Sequence, residues 1–498
     1  MSKKVQREKE KARANAPQTG AAMPAARYPA QRLDAVSVEI PKSARPDMLV
    51  PARVWADEEL WKKAVSDRTL DQLVNVATLP GACGCVHAMP DAHEGYGFPV
   101  GGVAAFRARD GVISPGGVGY DINCGVRLLA SNVQYGEIRH RMESLVHDLS
   151  RGIPSGAGRG GALKLDMPEL DRVLAVGSRS LVEGGVATLE DLEHTEAGGS
   201  LEAANPDKVS QRAHDRGKDQ LGTIGSGNHF VEVQRVETIY DEAAAEALGL
   251  WKGQITILIH TGSRGMGHQI CTDYVRSMDA VMARHNIKLP DRELACAPFE
   301  SPEGKAYFAA MCAAANFAFA NRQVITHAAR QVFGRTFGDE GDLRLVYDVA
   351  HNMAKLERHG GEDLLVHRKG ATRAFPPGHP EIPAAYQKVG QPVFIPGSMG
   401  TASYVLVGTD EGLGLSFGST CHGAGRAMSR TAAKKVKSGQ EVRKELEKQG
   451  IVVHGSPGEL AEEAPHAYKD VDRVVQVVHD AGLARKVVRL RPVGVVKG

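Results

Sequence analysis

The 498-residue sequence predicts a compact α+β fold. Short apolar runs typical of β-strands alternate irregularly with longer helical patterns, and the sequence shows no internal repeat. No linker rich in Pro and Ser follows about Pro51. We therefore expect a single domain over residues 31–498, preceded by a disordered or extended tail over residues 1–30.

Apolar runs predict the strands, and periodic patterns predict the helices. Strands are expected at residues 255–259, 343–349, 404–407 and 487–490. Helices are expected at residues 138–149, 304–333, 442–449 and 471–481. The segment 304–333 is rich in Ala and apolar nearly all round, which is typical of a buried helix or helix pair rather than a surface helix.

Composition narrows the class of protein before any motif is considered. The net charge of +2 predicts neither a nucleic-acid nor a membrane partner, so an anionic substrate has to be met by local Lys and Arg. The first residues lack an apolar signal region, and no apolar run is long enough to span a bilayer. Seven scattered cysteines, with Cys83 and Cys85 in structural roles, fit a reducing cytosol. We expect a cytoplasmic protein without a membrane partner.

Four segments place metal-binding side chains where a strand or a turn meets a loop. Asp121 and Cys124 follow a glycine-rich turn, and His229 stands at the mouth of a short strand. His260 and His351 each end an apolar strand. Strands of this kind present such groups on a rigid base, and glycine clusters between the elements let the backbone approach a ligand. We expect the loops to converge on one site.

Each of these residues also has an ordinary structural interpretation. A single histidine is more often a core or loop residue than a ligand, Asp121 could cap a turn, and Cys124 could fill a small apolar gap. The repeated arrangement favours a metal site whose mixed donors suit Zn²⁺, Mn²⁺ or Co²⁺. Five donors exceed one tetrahedral site, and two ions that share the cysteine would account for the surplus.

Taken together, these segments resemble the RtcB family of RNA-splicing ligases. The resemblance runs in order from about Pro46 to the C-terminus, while the first thirty or so residues lie outside it and residues 79–85 are atypical. It is carried by Met-Pro-Asp-Ala-His-Glu-Gly-Tyr-Gly-Phe-Pro-Val-Gly-Gly (89–102), Gly-Tyr-Asp-Ile-Asn-Cys-Gly-Val-Arg (119–127), Gly-Ser-Gly-Asn-His-Phe-Val-Glu (225–232), the segments of His260 and His351, Pro-Gly-Ser-Met-Gly-Thr (396–401), Cys-His-Gly-Ala-Gly-Arg (421–426) and the terminal Lys497–Gly498.

The resemblance implies one RtcB-like catalytic domain with central β-sheets flanked by helices and an active site formed by converging loops. It implies a GTP- and Mn²⁺-dependent ligase that joins an RNA 3′-phosphate or 2′,3′-cyclic phosphate to a 5′-hydroxyl. Cys124 would bridge two Mn²⁺ ions, with Asp121 and His229 on one and His260 and His351 on the other. His422 would be guanylylated and would pass GMP to the RNA 3′-phosphate, giving an activated RNA 3′-pp-5′-G end.

The resemblance also implies how the nucleotide and the RNA are held. Phe230 and Glu232 are two apart on a strand and so face one side, where the carboxylate could accept from guanine N1–H and N2–H₂; a plain amphipathic strand explains the same alternation. The full set expected around GTP or GMP is Asn228, Phe230, Glu232, His351, Asn352, Pro396, Gly397, Ser398, Met399, Ser403, His422, Gly423, Ala424, Gly425, Tyr468 and Lys497. The set expected around the RNA phosphates is Arg216, Asn228, Arg264, Lys369 and Arg430.

Two rival functions use part of the same set of residues. A dinuclear phosphoesterase could open cyclic phosphates on RNA ends without ligation, and would need the metal ligands but neither His422 nor GTP. A catalytically silent protein could bind RNA ends alone. The expected RNA partner is a pair of tRNA halves or a cleaved RNA, and a helper protein remains unidentified by sequence.

Overall fold

Two large β-sheets form the framework of residues 26–156, 158 and 160–498, which are the residues described by the computed structural model. Of the tail predicted over residues 1–30, residues 1–25 lie outside the described part of the chain. The strands are β1 (Gln31–Asp34), β2 (Ser37–Ile40), β3 (Ala52–Trp55), β4 (Ala82–His93), β5 (Val100–Arg107), β6 (Val112–Ile113), β7 (Gly125–Gln134), β8 (Phe230–Ile239), β9 (Gln254–Thr261), β10 (Ala297–Pro298), β11 (Leu343–Ala350), β12 (Asn352–His359), β13 (Glu362–Lys369), β14 (Ala371–Arg373), β15 (Pro392–Ile395), β16 (Ser403–Gly408), β17 (Ser419–Cys421), β18 (Val452–His454) and β19 (Ala484–Lys497).

The first sheet has the strand order β1-β2-β3-β4-β5-β13-β12, and the second has the order β11-β7-β9-β8-β19-β16-β15. The short strand β18 runs parallel to β19, and β14 pairs with β17 outside both sheets. His351 is the only residue between β11 and β12. The chain therefore passes from the second sheet to the first at a predicted metal ligand.

Helices cover the sheets and connect them. They are α1 (Glu58–Val65), α2 (Thr69–Val76), α3 (Tyr135–Ile138), α4 (Met142–Gly152), α5 (Met167–Val176), α6 (Leu189–Glu193), α7 (Gln211–Gly217), α8 (Glu242–Ala247), α9 (Arg264–Arg284), α10 (Pro302–Phe337), α11 (Asp410–Ser416), α12 (Arg430–Val436), α13 (Gly439–Lys448), α14 (Pro457–Glu462) and α15 (Val471–Asp480).

Helix α10 passes through the middle of the protein. The side chain of Ser301 accepts a hydrogen bond from the Gly304 N–H at its start, Pro302 occupies its first turn, and Gly338 with φ of 63° ends it. Every residue from 310 to 326 is buried. The small alanine side chains allow neighbours to approach on all sides of the helix, which explains why its sequence has no polar face.

The hydrophobic core consists of three clusters. Alternate residues of the second sheet enter two of them, as with Leu128 on one face and Leu129 on the other. The largest cluster packs the first sheet against α10, α15 and the first two helices. Both faces of the second sheet therefore carry a hydrophobic cluster.

The predicted α+β class is confirmed. The predicted strands correspond to β9, β11, β16 and β19, although β19 is much longer than residues 487–490. The helices at 442–449 and 471–481 correspond to α13 and α15, and the segment 304–333 is one helix rather than a pair. The helix predicted at 138–149 is wrong at its start, because α3, a 3-10 turn at Arg139–Arg141 and α4 follow one another there.

None of the helices in the described ranges is both long and apolar enough to cross a bilayer.

Candidate active site

Five strand ends meet at one end of the second sheet. β7 begins at Gly125 and β8 begins at Phe230, while β9 ends at Thr261, β11 at Ala350 and β19 at Lys497. Neighbouring strands in this row are antiparallel, so the starts of two and the ends of three lie side by side. The polar residues that follow or precede these ends are thereby brought to one place.

The predicted metal ligands form one continuous cluster there. Sγ of Cys124 lies 3.3 Å from Nε2 of His229 and 3.3 Å from Nε2 of His260. Nε2 of His260 lies 3.3 Å from Nε2 of His351, and Oδ2 of Asp121 lies 2.9 Å from Nε2 of His229. The donors fall into two groups, Asp121–Cys124–His229 and Cys124–His260–His351, with Cys124 in both.

The chemistry of these donors fits divalent cations. Burial, reinforced by the neighbouring imidazoles, lowers the pKa of His260 and of His351 well below the usual value, so both rings are neutral with lone pairs to offer. Although burial opposes it, the His229 side chain lowers the pKa of Asp121. Burial and Asp121 raise the pKa of the Cys124 thiol, and a bound cation would favour its thiolate instead. A mixed N, O and S set of this kind suits borderline ions such as Zn²⁺ and Mn²⁺.

A buried arginine on α10 holds the strand ends that carry these ligands. The guanidinium of Arg322 donates to the backbone oxygens of Asn123 and Thr261 at 2.9 Å each, and to Oδ1 of Asn123 at 3.0 Å. It also donates twice to Asp348 on β11, at 2.8 Å. These five hydrogen bonds occupy all five N–H groups of the side chain. They fix Asn123, whose φ of 50° is unusual for a residue other than glycine, directly before Cys124.

Asn321, the residue before Arg322, holds a second group of loops in place. The side chain of Asn321 accepts from the backbone N–H groups of Gly222 and Thr223 and donates to the backbone oxygen of Gly262. These contacts support the chain that leads to His229 and the chain that leaves His260. Neither residue was among the predicted site residues, although polar side chains within an alanine-rich helix were a visible signal.

Arg264 contacts a predicted metal ligand rather than open solvent. Its NH1 group donates to Nδ1 of His229 at 2.6 Å. A neutral imidazole that binds a cation through Nε2 carries its proton on Nδ1, where it can no longer accept from a guanidinium. Metal binding by His229 and this hydrogen bond therefore exclude one another.

A cavity of about 260 Å³ opens beside the cluster. Of the predicted residues, its wall contains Asp121, Cys124, Asn228, Phe230, His260, His351, Asn352, Lys369, Pro396, Gly397, Ser398, Met399, His422, Gly423, Ala424, Gly425, Arg430, Tyr468 and Lys497. Five predicted residues do not line it, namely Arg216, His229, Glu232, Arg264 and Ser403. His229 lies behind Asp121 and Cys124, so its absence from the wall does not separate it from the cluster.

His422 stands on the side of the cavity formed with the first sheet. Its ring centroid is 4.9 Å from that of His351, and its Nδ1 lies 2.6 Å from Oδ2 of Asp91 on β4. The same oxygen accepts hydrogen bonds from the backbone N–H groups of His422 and Gly423. Asp91 was not a predicted site residue, although it lies in the quoted segment 89–102.

Glu232 and Ser403 lie one layer behind the cavity wall. The amide of Gln234 donates to Oε2 of Glu232 at 2.7 Å and to the hydroxyl of Ser403 at 3.0 Å. Burial raises the pKa of Glu232 to about 8. Phe230 shares its face of β8, as the strand alternation predicted, and lines the cavity in front of the carboxyl.

A buried carboxylate, Glu463, organises a further part of the cavity wall. Glu463 pairs with Arg426 and Arg430 at 2.8 Å each and also accepts from the hydroxyl of Tyr468. The ammonium of Lys497 donates to the backbone oxygen of His229 and lies 5.5 Å from the centroid of the Phe230 ring. Burial lowers the pKa of Lys497 to about 8. Glu463 was missed by the sequence analysis, because nothing in its neighbourhood marks it as more than a surface glutamate.

The residues predicted to contact RNA phosphates differ in burial and in their distance from the cavity. Lys369 is buried at the cavity and donates to the backbone oxygens of Tyr96 and Phe98. Arg430 lines the cavity; its side chain is half exposed, while its partner Glu463 is buried. Arg216 lies outside the cavity and donates to the side chain of Gln269 on α9.

Comparison with known proteins identifies the family. The family model described as tRNA-splicing ligase RtcB matches residues 72–498. A tRNA-splicing ligase RtcB of Thermococcus kodakarensis is 54% identical over 478 residues, covering 94% of this chain and 99% of the relative. The protein of the same name from Archaeoglobus fulgidus is 52% identical, covering 92% and 97%. An RNA-splicing ligase RtcB of Mycobacterium tuberculosis is 53% identical, covering 86% and 100%. Matches of this length and identity show that the chain belongs to the RtcB family of RNA-splicing ligases.

Proposed function

We propose that this protein is an RNA ligase that joins 3′-phosphate or 2′,3′-cyclic phosphate ends to 5′-hydroxyl ends with GTP, in tRNA splicing or RNA repair. The observation that carries the proposal is that His422 lines a cavity directly beside the cluster of the five donors Asp121, Cys124, His229, His260 and His351. A phosphoesterase would need the donors without His422, and the names of the relatives favour the ligase.

In this proposal the five donors would hold two Mn²⁺ ions, and Cys124, which belongs to both groups of donors, would serve both. When bound, the ions supply positive charge to the phosphates at the cavity and steady the oxygens of the displacement. The preference for manganese rests on the family, because the donors alone suit zinc equally well.

His422 acts as the nucleophile toward GTP. Its Nε2 attacks the α-phosphorus, so that an N–P bond forms, the bond to the bridging oxygen breaks and pyrophosphate leaves. The carboxylate of Asp91 at Nδ1 keeps that proton in place and stabilises the positive ring formed during attack. A cyclic phosphate is first opened by water to the RNA 3′-phosphate.

The RNA reacts with the guanylylated histidine in two further steps. An oxygen of the 3′-phosphate attacks the phosphorus of GMP, which breaks the N–P bond and forms the RNA 3′-pp-5′-G end. The 5′-hydroxyl oxygen then attacks the RNA 3′-phosphate and releases its proton to water; the new P–O bond forms as the bond to the GMP oxygen breaks, and GMP leaves. Each step exchanges one bond to phosphorus for another, so the energy of one GTP is carried through to the junction.

In this proposal the part of the cavity wall beside β8 selects guanine. Phe230 packs against the base, while Glu232, one layer behind, accepts from N1–H and N2–H₂ after Gln234 or the backbone shifts. Lys497 and Tyr468 contact the nucleotide, together with Asn228, Asn352, Pro396, Gly397, Ser398, Met399, Ser403, Gly423, Ala424 and Gly425. The RNA phosphates are met by Arg216, Asn228, Arg264, Lys369 and Arg430, whose charge-assisted contacts favour phosphate without reading bases.

Residues 31–498 form one catalytic domain in this proposal, because residues from strands between β4 and β19 line the cavity.

All seven cysteines are free thiols, which supports a cytoplasmic location.

The test is covalent labelling with Mn²⁺ and α-³²P-labelled GTP. We expect an acid-labile label on the wild type that is absent from His422→Ala and present on His140→Ala, in which an exposed histidine outside the cavity is changed. Ligation of a 3′-phosphate RNA to a 5′-hydroxyl RNA should require the same residue. A wild type that opens cyclic phosphates but takes up no label would instead establish the phosphoesterase.

A further inference from the structure

Three aromatic rings form a row at the edge of the cavity. The centroid of the Tyr120 ring lies 5.6 Å from that of Tyr96 and 4.8 Å from that of His268. Tyr120 lines the cavity, Tyr96 and Tyr120 are half-buried, and His268 is exposed. The row therefore leads from the cavity wall to the protein surface.

The rings come from three separate segments of the chain. Tyr96 lies in the loop between β4 and β5, Tyr120 directly precedes Asp121, and His268 is on α9. Aromatic residues make up only 5% of the sequence, and most of the phenylalanines are buried in the core. Convergence of two tyrosine rings and the His268 imidazole, each partly open to solvent, beside the cluster of donors is therefore a property of the tertiary fold.

Cationic side chains flank the row. Arg264 begins α9, the helix that carries His268, and its guanidinium donates to Nδ1 of His229. Arg216 donates to Gln269, the residue after His268, and burial together with this guanidinium lowers the pKa of His268. Lys369 donates to the backbone oxygen of Tyr96. Rings interleaved with Arg and Lys suit a single-stranded nucleic acid, in which bases stack on rings while phosphates meet the cations.

We propose that Tyr96, Tyr120 and His268 form a stacking subsite for the nucleoside next to the RNA phosphate at the junction. The proposal rests on the proposed ligase function and adds a contact to the base, which the phosphate-binding residues do not provide. Stacking accepts every base because each has a π-face, so the subsite strengthens binding without selecting a sequence.

The test compares RNAs that carry or lack the terminal base. Binding of a 3′-phosphate oligonucleotide and of a 5′-hydroxyl oligonucleotide is measured separately by fluorescence anisotropy, each with a normal or an abasic terminal residue. For one of the two ends we expect the wild type to bind the normal RNA about 5- to 150-fold more tightly than the abasic RNA, the range typical of base stacking on an aromatic side chain. The arm that shows the difference identifies the strand that occupies the subsite.

Paired variants show whether the rings are responsible. In Tyr120→Leu and His268→Leu the ratio of normal to abasic affinity should fall toward one, while Tyr120→Phe and His268→Phe should retain most of it. The proposal is overturned if the wild type binds normal and abasic RNAs equally at both ends, or if the Leu variants keep the wild-type ratio. Labelling of the wild type by GTP needs no RNA, so its failure would overturn the proposed function and not the subsite alone.

Discussion

Nδ1 of His422 lies 2.6 Å from Oδ2 of Asp91, although 331 residues separate the two in the chain. The Asp91 carboxyl is fully buried, and the backbone N–H groups of His422 and Gly423 also point to this oxygen. The first sheet thus supplies the group that orients the proposed nucleophile, while the second sheet supplies the metal ligands.

Replacement of Asp91 by Asn should slow guanylylation of His422. The amide cannot stabilise a positive imidazole, so we expect a loss of roughly 10²- to 10⁴-fold in the labelling rate. Single-turnover labelling with GTP measures this, and the thermal midpoint of unfolding reports any loss of fold. An Asp91→Asn protein that labels at the wild-type rate would show that this carboxylate is only structural.

Replacement of Arg322 by Lys should weaken metal binding, because an ammonium cannot make the five hydrogen bonds that hold Asn123, Thr261 and Asp348. We expect a decrease in metal affinity of about 10- to 100-fold, measured by calorimetric titration with Mn²⁺. Arg330→Lys is the matched control, since Arg330 lies on the same helix and pairs with Asp191 away from the donors. Equal affinities in the two variants would contradict the positioning role of Arg322.

Removal of the shared donor should affect both metal sites. Cys124→Ala is expected to lose both ions, whereas His351→Ala removes a donor of one group and should retain about one ion per chain. Metal content after gel filtration, determined by mass spectrometry, distinguishes these outcomes. Cys83→Ser, a half-buried thiol outside the cavity, should keep the wild-type content. Retention of two ions by Cys124→Ala would exclude a bridging thiolate.

Binding of GTP should improve as the pH rises toward 8. Burial raises the pKa of Glu232 to about 8, so below that pH the group is a neutral acid and presents one acceptor fewer to guanine. We expect KM for GTP to fall between about pH 6 and pH 8 in the wild type, and to vary much less in Glu232→Gln. Above pH 8, where the wild-type carboxyl is ionised, the Gln variant should also bind GTP about 10- to 150-fold more weakly, the usual loss for a hydrogen bond to a charged group.

Glu237→Gln serves as the control for this measurement. Glu237 lies further along β8 and pairs with Arg489 outside the cavity. The same pH profile in the wild type and in Glu232→Gln would assign the titration to another group.

The sequence predicted the parts of the site that are local in the chain. His260 lies at the end of apolar strand β9 and His351 follows apolar strand β11. The alternation of Phe230 and Glu232 follows from the strand period, so these local positions needed no tertiary information. The roles of Asp91, Arg322 and Glu463 could not be predicted in this way. Each acts through contacts with residues far away in the chain, as when Arg322 binds Asn123 and Asp348.

The predicted bounds of helices and strands were wrong where the local sequence pattern and the tertiary packing disagree. Residues 138–149 have helical periodicity, but the chain turns at Arg139–Arg141 before α4 packs on α10. Strand β19 extends to Lys497 because pairing with β8, β16 and β18 supplies partners that residues 487–490 alone do not reveal.

The passage of the chain between the two sheets at His351 has a practical consequence for how this protein can be studied. No fragment that contains only one sheet would hold both the nucleophile with its carboxylate and the complete set of donors. Joining of RNA ends would then report on assembly of the entire tertiary structure. Recovery of this activity after dilution from denaturant would be a stricter criterion of refolding than recovery of secondary structure.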